Sequence, residues 1–143
     1  MLFNNQKLTY YDNKETKELL NIVLENISLV YKTIFTQSQT AALILIGGYG
    51  RGEGGIVKKE GKFTPHNNLD LLYIYNGRVD SEKVELANAK LQEISKKYDI
   101  GIDVSAINKQ KLLRLNGLVI GYDMRHGHKL LLGDSSFLKE HEK

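Results

Sequence analysis

The sequence predicts an α/β (α+β) fold in a single domain that spans residues 1–143. Patterns typical of helices alternate along the chain with patterns typical of strands, and no internal repeat, low-complexity tract or linker separates them. A length of 143 residues suits one domain with a substantial core. Because 41% of the residues are hydrophobic and 26% are charged, the composition is that of a globular protein rather than a disordered one.

The first half of the chain contains one predicted helix, one predicted strand and a loop. Apolar residues recur at helical spacing over residues 16–35, which predicts an amphipathic helix. The uninterrupted apolar run 41–46 predicts a short strand that is buried on both faces. Gly61 and Pro65 make a long helix implausible between residues 58 and 68, so we predict mostly loop there.

The second half continues the alternation. The predicted elements are a strand at 69–75, a helix at 80–98, a strand at 100–107, a mainly helical segment at 109–123, and a closing strand and turn at 128–134. Asp80 or Ser81 opens the helix, since both residue types accept hydrogen bonds from the first free N–H groups.

Composition and charge exclude several classes of function. The chain has no cysteine, so disulfides and thiolate chemistry are excluded. Its net charge of +3 permits an anionic ligand but does not indicate nucleic acid. No apolar stretch is long enough to span a bilayer and the N-terminus lacks the order of a signal peptide, so we expect a cytoplasmic protein without membrane association.

A glycine-rich loop follows the first predicted strand, in the stretch LILIGGYGRGEGG at residues 43–55. Gly50, Gly52 and Gly55 match the dinucleotide-binding spacing, but that fold needs an acidic residue at the end of the second strand, and here the acid stands near its start. A phosphate loop of the GxxxxGK[ST] type is excluded because Gly55 and Gly61 are one residue too far apart. Taken alone, the loop could also be a tight structural turn.

Two aspartates stand inside predicted buried strands. Asp70 lies between leucines near the start of one strand, and Asp103 lies between Ile102 and Val104 in another. Charges in such positions need a compensating partner. A partner that is shared with the glycine loop is one solution, whereas backbone donors around Asp103 are the structural alternative. His126 and His128 could share a strand face, but no third metal ligand is evident nearby.

The segments IGGYGRGEGG, PHNNLDLLYIY and IGIDVS together resemble the nucleotidyltransferase superfamily with the polymerase beta-like fold. The glycine run is similar to that of the catalytic domain of the uridylyltransferase that modifies the PII nitrogen-signalling protein, and the tail YDMRHGHKLLLGDSSFL resembles the segment that ends in Gly-Asp in that family. The resemblance covers about residues 43–138. It implies a small mixed sheet with helices packed on one face.

The resemblance also implies a function and a set of site residues. A nucleoside triphosphate would bind with Mg²⁺ or Mn²⁺, and a nucleoside monophosphate would pass to an unknown acceptor, which could be a protein. The implied catalytic and metal-binding residues are Asp70, Asp103 and Asn68, because hard oxygen ligands suit these cations. The implied nucleotide-binding residues are Gly47, Gly48, Tyr49, Gly50, Arg51 and Gly52. Arg51 could contact phosphate or pair with Glu53.

Two departures from the family pattern stand out. Asn68 occupies the position of the first aspartate of the expected Asp-x-Asp pair, and the loss of about 3 kcal/mol of transition-state stabilisation there would slow transfer about a hundredfold. The alternative function is therefore a catalytically silent nucleotide-sensing or partner-binding module, including the antitoxin of a two-chain toxin-antitoxin system. A helical protein or a second copy of this chain is the expected partner. The segment IVKKEGKFT, residues 56–64, is predicted to be an inserted disordered or substrate-facing flap.

Overall fold

The computed structural model describes residues 3, 6–9, 13–65, 68–114 and 127–140. The helices in these residues are α1 (Lys14–Ile34), α2 (Gly47–Gly50), α3 (Ser81–Tyr98), α4 (Lys109–Arg114) and α5 (Ser136–Glu140). The strands are β1 (Thr40–Ile46), β2 (Ile56–Lys59), β3 (Lys62–Pro65), β4 (Leu69–Tyr75), β5 (Ile102–Asn108) and β6 (Lys129–Gly133). The predicted alternation of helices and strands is confirmed. Of the segment predicted to be helical at 109–123, residues 115–123 lie outside the described residues.

Four strands form one mixed sheet in the order β5-β4-β1-β6. β1 is antiparallel to both β4 and β6, whereas β4 and β5 are parallel. A parallel pair needs a crossover connection, and α3 supplies it between β4 and β5. This crossover brings two segments that lie about thirty residues apart in sequence into direct register.

The two long helices begin with side-chain caps. Asn13 accepts a hydrogen bond from the Thr16 N–H at 2.8 Å at the start of α1. Asp80 does the same for the Glu82 N–H at 2.9 Å at the start of α3, which agrees with the prediction that Asp80 or Ser81 opens this helix. Each cap satisfies a donor that the first helical turn leaves without a partner.

Hydrophobic side chains bury both faces of the central strands. Leu43, Leu45 and Leu71 belong to the larger core cluster, which contains the buried faces of α1 and α3. Alternate residues point to the opposite face, where Ile44 and Leu72 belong to a smaller cluster. Leu112 of α4 and Leu138 of α5 complete that smaller cluster. The two long helices thus pack on one face, as predicted, and the short helices α4 and α5 contribute to the other.

The prediction of mostly loop at residues 58–68 is wrong for its first part. β2 and β3 pair antiparallel as a hairpin, with Ile56 opposite Pro65 and Lys59 opposite Lys62. Glu60 and Gly61 connect the strands, and both have positive φ, at 50° and 81°. Two consecutive residues of this kind form the tight turn that matches the twist of paired strands, so Gly61 is a turn residue of an ordered hairpin.

No helix in the described ranges is long and apolar enough to cross a membrane.

Replacing Ser28 by Ala should raise the free energy of unfolding. Ser28 Oγ is buried on α1 and has no hydrogen-bond partner in the part of the chain that the structure describes. Removal of a buried unsatisfied hydroxyl recovers about 1–3 kcal/mol, and alanine also has the higher helix propensity. Urea unfolding followed by circular dichroism measures the change.

Ser95→Ala on α3 is the matched control. It brings the same change in helix propensity but removes the hydrogen bond that Ser95 Oγ donates to the Ile100 carbonyl at 2.6 Å. This variant should therefore be less stable than Ser28→Ala by about 1–3 kcal/mol. Equal stabilities would contradict the unsatisfied state of Ser28.

Candidate functional site

Two aspartates stand side by side at one end of the main sheet. β4 and β5 pair in a register that sets Asp70 opposite Asp103. Parallel strands lie about 4.8 Å apart and directly paired residues share a face, so both carboxylates project from the same side of the sheet. Both residues are exposed. The Asp70 carboxyl is nevertheless partly desolvated by its neighbours, and this desolvation, followed by the Asp103 charge, raises the pKa of Asp70 above its ordinary value.

Asn68 joins this pair through its amide. Asn68 Nδ2 donates a hydrogen bond to Asp103 Oδ2 at 3.1 Å. The next residue, Leu69, donates its backbone N–H to the Gly101 carbonyl at 2.8 Å, which holds the entrance of β4 against the entrance of β5. A side chain at position 101 would overlap the Asn68 amide, so Gly101 leaves the space that this amide occupies. Sequence reasoning missed Gly101, although a glycine directly before an acid-bearing strand is a signal of close approach.

The glycine turn, residues 47–52, begins beside Asp70. β1 runs antiparallel to β4 with Ile46 opposite Asp70, and α2 follows β1 immediately. Gly47 has a φ of +70°, a conformation that favours glycine. A Cβ atom on Gly47 would come within 2.9 Å of Asp70 Oδ2. The bare backbone at Gly47 therefore permits the turn to pass directly against the carboxylate.

Other glycines of the turn serve packing within the protein. A Cβ atom on Gly50 would lie 2.5 Å from the Leu45 carbonyl oxygen and 2.7 Å from that of Gly127. Gly52 has a φ of +76° and would bring a Cβ atom within 2.8 Å of the Lys7 carbonyl oxygen. At these two positions the space that a side chain would need is filled by protein backbone, and is not left for a ligand.

Tyr49 and Arg51 differ in what they offer to a ligand. The Tyr49 side chain is 1% exposed, lies in the larger core cluster, and its hydroxyl donates to the Gly55 carbonyl at 3.1 Å. The Tyr49 ring is directed into the core, so the backbone is the part of this residue that is left for a ligand, and its role in nucleotide binding stays a prediction. Arg51 Nε donates to Glu53 Oε2 at 3.5 Å, which corresponds to the pairing alternative.

Lys129 contacts the C-terminal end of α2, and sequence reasoning missed it. Its ammonium donates to the carbonyl oxygens of Gly50 at 2.7 Å and Tyr49 at 3.1 Å. Burial lowers the pKa of Lys129. This cation adds a charged donor to two carbonyls at the end of a short helix, and the Tyr49 carbonyl also accepts the Gly52 N–H at 3.1 Å. The only sequence signal was a lysine directly before the apolar run of β6.

The Gly-Asp segment of the tail has a structural place at the opposite end of the sheet. The Asp134 N–H donates to the Ala41 carbonyl at 3.0 Å. Asp134 Oδ1 accepts from the Ser136 N–H at 2.9 Å at the start of α5, and the hydrogen bonds from Ser136 hold the pKa of Asp134 below its usual range. A cleft of about 1170 Å³ opens here, lined in part by Lys109 and Phe137, and contains none of the predicted site residues.

The remaining histidine predictions divide between described and undescribed residues. His126 lies outside the described residues. His128 Nε2 and Ser135 Oγ form a hydrogen bond of 2.8 Å.

Within the described ranges, no group of three or more His, Cys, Asp or Glu side chains could hold a metal ion.

The donor chemistry of Asp70 and Asp103 nevertheless fits one kind of cation. Mg²⁺ is typically bound by one or two carboxylates, with water and substrate phosphate oxygens as its further ligands. Two carboxylates in register on one face meet this minimum set. The role of these residues as metal ligands stays a prediction.

Comparison with known proteins identifies the fold. No protein-family model matches the chain, and no curated protein matches it. Among solved structures the chain is similar to the spectinomycin adenyltransferase AAD(9) from Enterococcus faecialis, solved with ATP and spectinomycin. That similarity has 18% identity and a TM-score of 0.54, and it covers 87% of this chain and 58% of that chain.

Two further similarities involve toxin-antitoxin complexes. One is with a chain of the tri-AMPylated Shewanella oneidensis HEPN toxin in complex with the MNT antitoxin, at 13% identity and a TM-score of 0.49 over 85% of this chain and 78% of that chain. The other is with a toxin-antitoxin structure containing AMP-PNP, at 16% identity and a TM-score of 0.47 over 82% of this chain and 79% of that chain.

The chain has the nucleotidyltransferase fold, as the sequence predicted, with a mixed sheet and helices. It spans little more than half the length of the adenyltransferase. The narrower resemblance to the PII uridylyltransferase stays a prediction.

Replacing Lys129 by Met should lower the free energy of unfolding by about 1–3 kcal/mol, because two carbonyls of the turn lose a charged donor. Methionine keeps most of the aliphatic volume, so the change isolates the ammonium. Guanidinium unfolding measures the effect. Lys96→Met, at an exposed position on α3, is the control and should change stability by less than about 0.5 kcal/mol. Equal effects of the two substitutions would contradict the anchoring role.

Replacing Asp70 by Asn should raise the melting temperature of the metal-free protein at pH 7. The pKa of Asp70 is raised in the folded state, so folding stability falls as pH rises from the ordinary value of 3.8 through the folded-state value. The gain from Asp70→Asn should therefore shrink as the pH is lowered towards 4. Thermal unfolding in buffer with a chelator measures it, and a lower melting temperature for the variant at pH 7 would count against this reasoning.

Proposed function

We propose that this chain binds a nucleoside triphosphate together with a divalent cation, Mg²⁺ or Mn²⁺, and transfers a nucleoside monophosphate to an acceptor hydroxyl. The acceptor oxygen bonds to the α-phosphorus, the bond from the α-phosphorus to the bridging oxygen breaks, and pyrophosphate leaves. The observation that carries the proposal is the register that sets Asp70 opposite Asp103 with Gly47 against the Asp70 carboxylate. Acids and bare backbone, far apart in sequence, meet at one end of the sheet in a protein with the nucleotidyltransferase fold.

Each part of the site has a task in this reaction. Asp70 and Asp103 hold the divalent cation, which when bound neutralises negative charge on the phosphates. Gly47 and Gly48 bring their backbone close to the triphosphate, since neither carries a side chain. Lys129 keeps the turn in place through its two carbonyl contacts. ATP is the first nucleotide to test, because the adenyltransferase with the same fold was solved with ATP.

A second candidate function is a silent nucleotide-sensing or partner-binding module. Asn68 favours it, because this position contributes an amide where the family pattern has a third carboxylate. In that case the chain would bind nucleotide and a protein partner, without transfer. The first proposal requires an acceptor and the second a protein partner. Nucleotide binding belongs to the first proposal and to the nucleotide-sensing form of the second.

Isothermal titration calorimetry of the full chain with ATP, CTP, GTP and UTP in Mg²⁺ tests the common step. At least one nucleotide should bind, and Asp70→Asn or Asp103→Asn should weaken binding at least tenfold, equivalent to about 1.4 kcal/mol. Asp80→Asn is the matched control, because asparagine still caps α3 and the position is remote from the pair. Failure of all four nucleotides to bind would end the first proposal and the nucleotide-sensing form of the second.

Transfer separates the two candidates. With ATP labelled on its α-phosphate, covalent transfer of the label to an acceptor by the unaltered protein supports the first proposal, the nucleotidyltransferase. Binding without incorporation, together with no gain in Asn68→Asp, supports the silent module. Restoration of incorporation by Asn68→Asp would instead locate the lost activity at that one residue.

A further inference from the structure

The Asn68 amide has a defined orientation. A carboxylate only accepts hydrogen bonds, whereas an amide has one donor end and one acceptor end. The end that faces Asp103 Oδ2 at 3.1 Å must therefore be the NH₂ group. The amide oxygen is consequently on the side of Gly101, where a Cβ atom would meet it. In this arrangement Asn68 behaves as a donor to Asp103, which differs from the predicted role of a metal-ligating oxygen.

Local structure on both sides supports this orientation. Gly101 has no side chain to displace the amide, and its carbonyl accepts the N–H of Leu69 at 2.8 Å. Asn68 is thus seated between the Gly101 backbone and the Asp103 carboxylate. This hydrogen bond occupies one lone pair of Asp103 Oδ2. Fewer lone pairs of the Asp103 carboxylate are then left to coordinate cations.

The charge of the Asp70–Asp103 pair also limits the number of divalent cations that it can hold. Asp70 and Asp103 together carry two negative charges, which one divalent cation neutralises. No third acidic or histidine ligand joins them among the described residues. Sites that hold two divalent cations about 3.5–4 Å apart need additional anionic ligands to screen their mutual repulsion. An amide donor adds no negative charge to the pair.

We infer that Asn68 restricts the Asp70–Asp103 pair to one divalent cation, by donating its amide N–H to Asp103 in the place where a carboxylate would recruit a second cation. Asn68 is in this sense a positioning residue and not a ligand. The inference rests on the proposed function for the identity of the bound group. It assigns to this chain a cation stoichiometry, which is measurable without an acceptor or turnover.

Electron paramagnetic resonance of Mn²⁺ titrated into the full chain counts the bound ions. The unaltered protein should bind one Mn²⁺ and Asn68→Asp should bind two, a doubling. Asn76→Asp is the matched control, because Asn76 directly follows β4 as Asn68 directly precedes it, and Asn76 Nδ2 contacts the remote Ser38 carbonyl. This variant adds the same charge at the other end of the strand and should still bind one.

Two Mn²⁺ ions on the unaltered protein, or one on Asn68→Asp, would overturn the inference while leaving the proposed function intact. No Mn²⁺ on the unaltered protein would overturn it together with the cation part of the proposed function, and the separate nucleotide titration shows whether nucleotide binding survives. If Asn68→Asp fails to fold, the count on the unaltered protein still decides between one ion and two.

Nuclear magnetic resonance of the Asn68 side-chain amide tests the hydrogen bond independently. Its proton signals should shift when Asp103 is replaced by Asn, whereas the signals of the Asn76 amide should not. Unchanged Asn68 signals in Asp103→Asn would overturn the donor role that the inference requires.

Discussion

The parallel pairing of β4 with β5 is the constraint on which the rest of the site depends. It aligns Asp70 with Asp103 although α3 separates them along the chain. Side chains alternate strictly between the faces of a strand, so a slip of one residue would send the two carboxylates to opposite sides of the sheet. Hydrophobic residues on both sides of each acid prevent that slip, because it would expose the core of β4 to water. The strand register that buries the core is therefore also the register that places Asp70 beside Asp103.

The glycine turn shows that one sequence feature can meet two demands. At Gly47 the missing side chain permits approach to the Asp70 carboxylate, which is a feature of the site. At Gly50 and Gly52 it permits approach of backbone from β1 and from the N-terminal segment, which is a feature of the fold. The structural interpretation of the glycine-rich loop thus holds at Gly50 and Gly52, whereas the functional interpretation at Gly47 stays a prediction. Lys129 then adds a half-buried charge that donates to the Tyr49 and Gly50 carbonyls.

Asn68 connects the local geometry with the question of activity. Its amide is compatible with the Asp103 carboxylate without any cation, because a donor faces an acceptor. A carboxylate at the same position would add a third negative charge to the cluster, where it would be repelled by Asp70 and Asp103.

The sequence by itself determined the elements with a long, regular hydrophobic period, α1 and α3, and the apolar strands β1 and β4, because periodicity and burial are local properties of the chain. It also indicated the acids and the turn that meet at one end of the sheet. The hairpin of β2 and β3 was missed because Gly61 and Pro65 are as compatible with a loop as with a tight turn. Tertiary structure alone decided the inward direction of Tyr49, the donor role of Asn68 and the contact of Lys129 with Gly50 across 79 residues. Such contacts depend on which backbone and side-chain atoms the folded sheet places within hydrogen-bond distance, and no local pattern of residues encodes that distance.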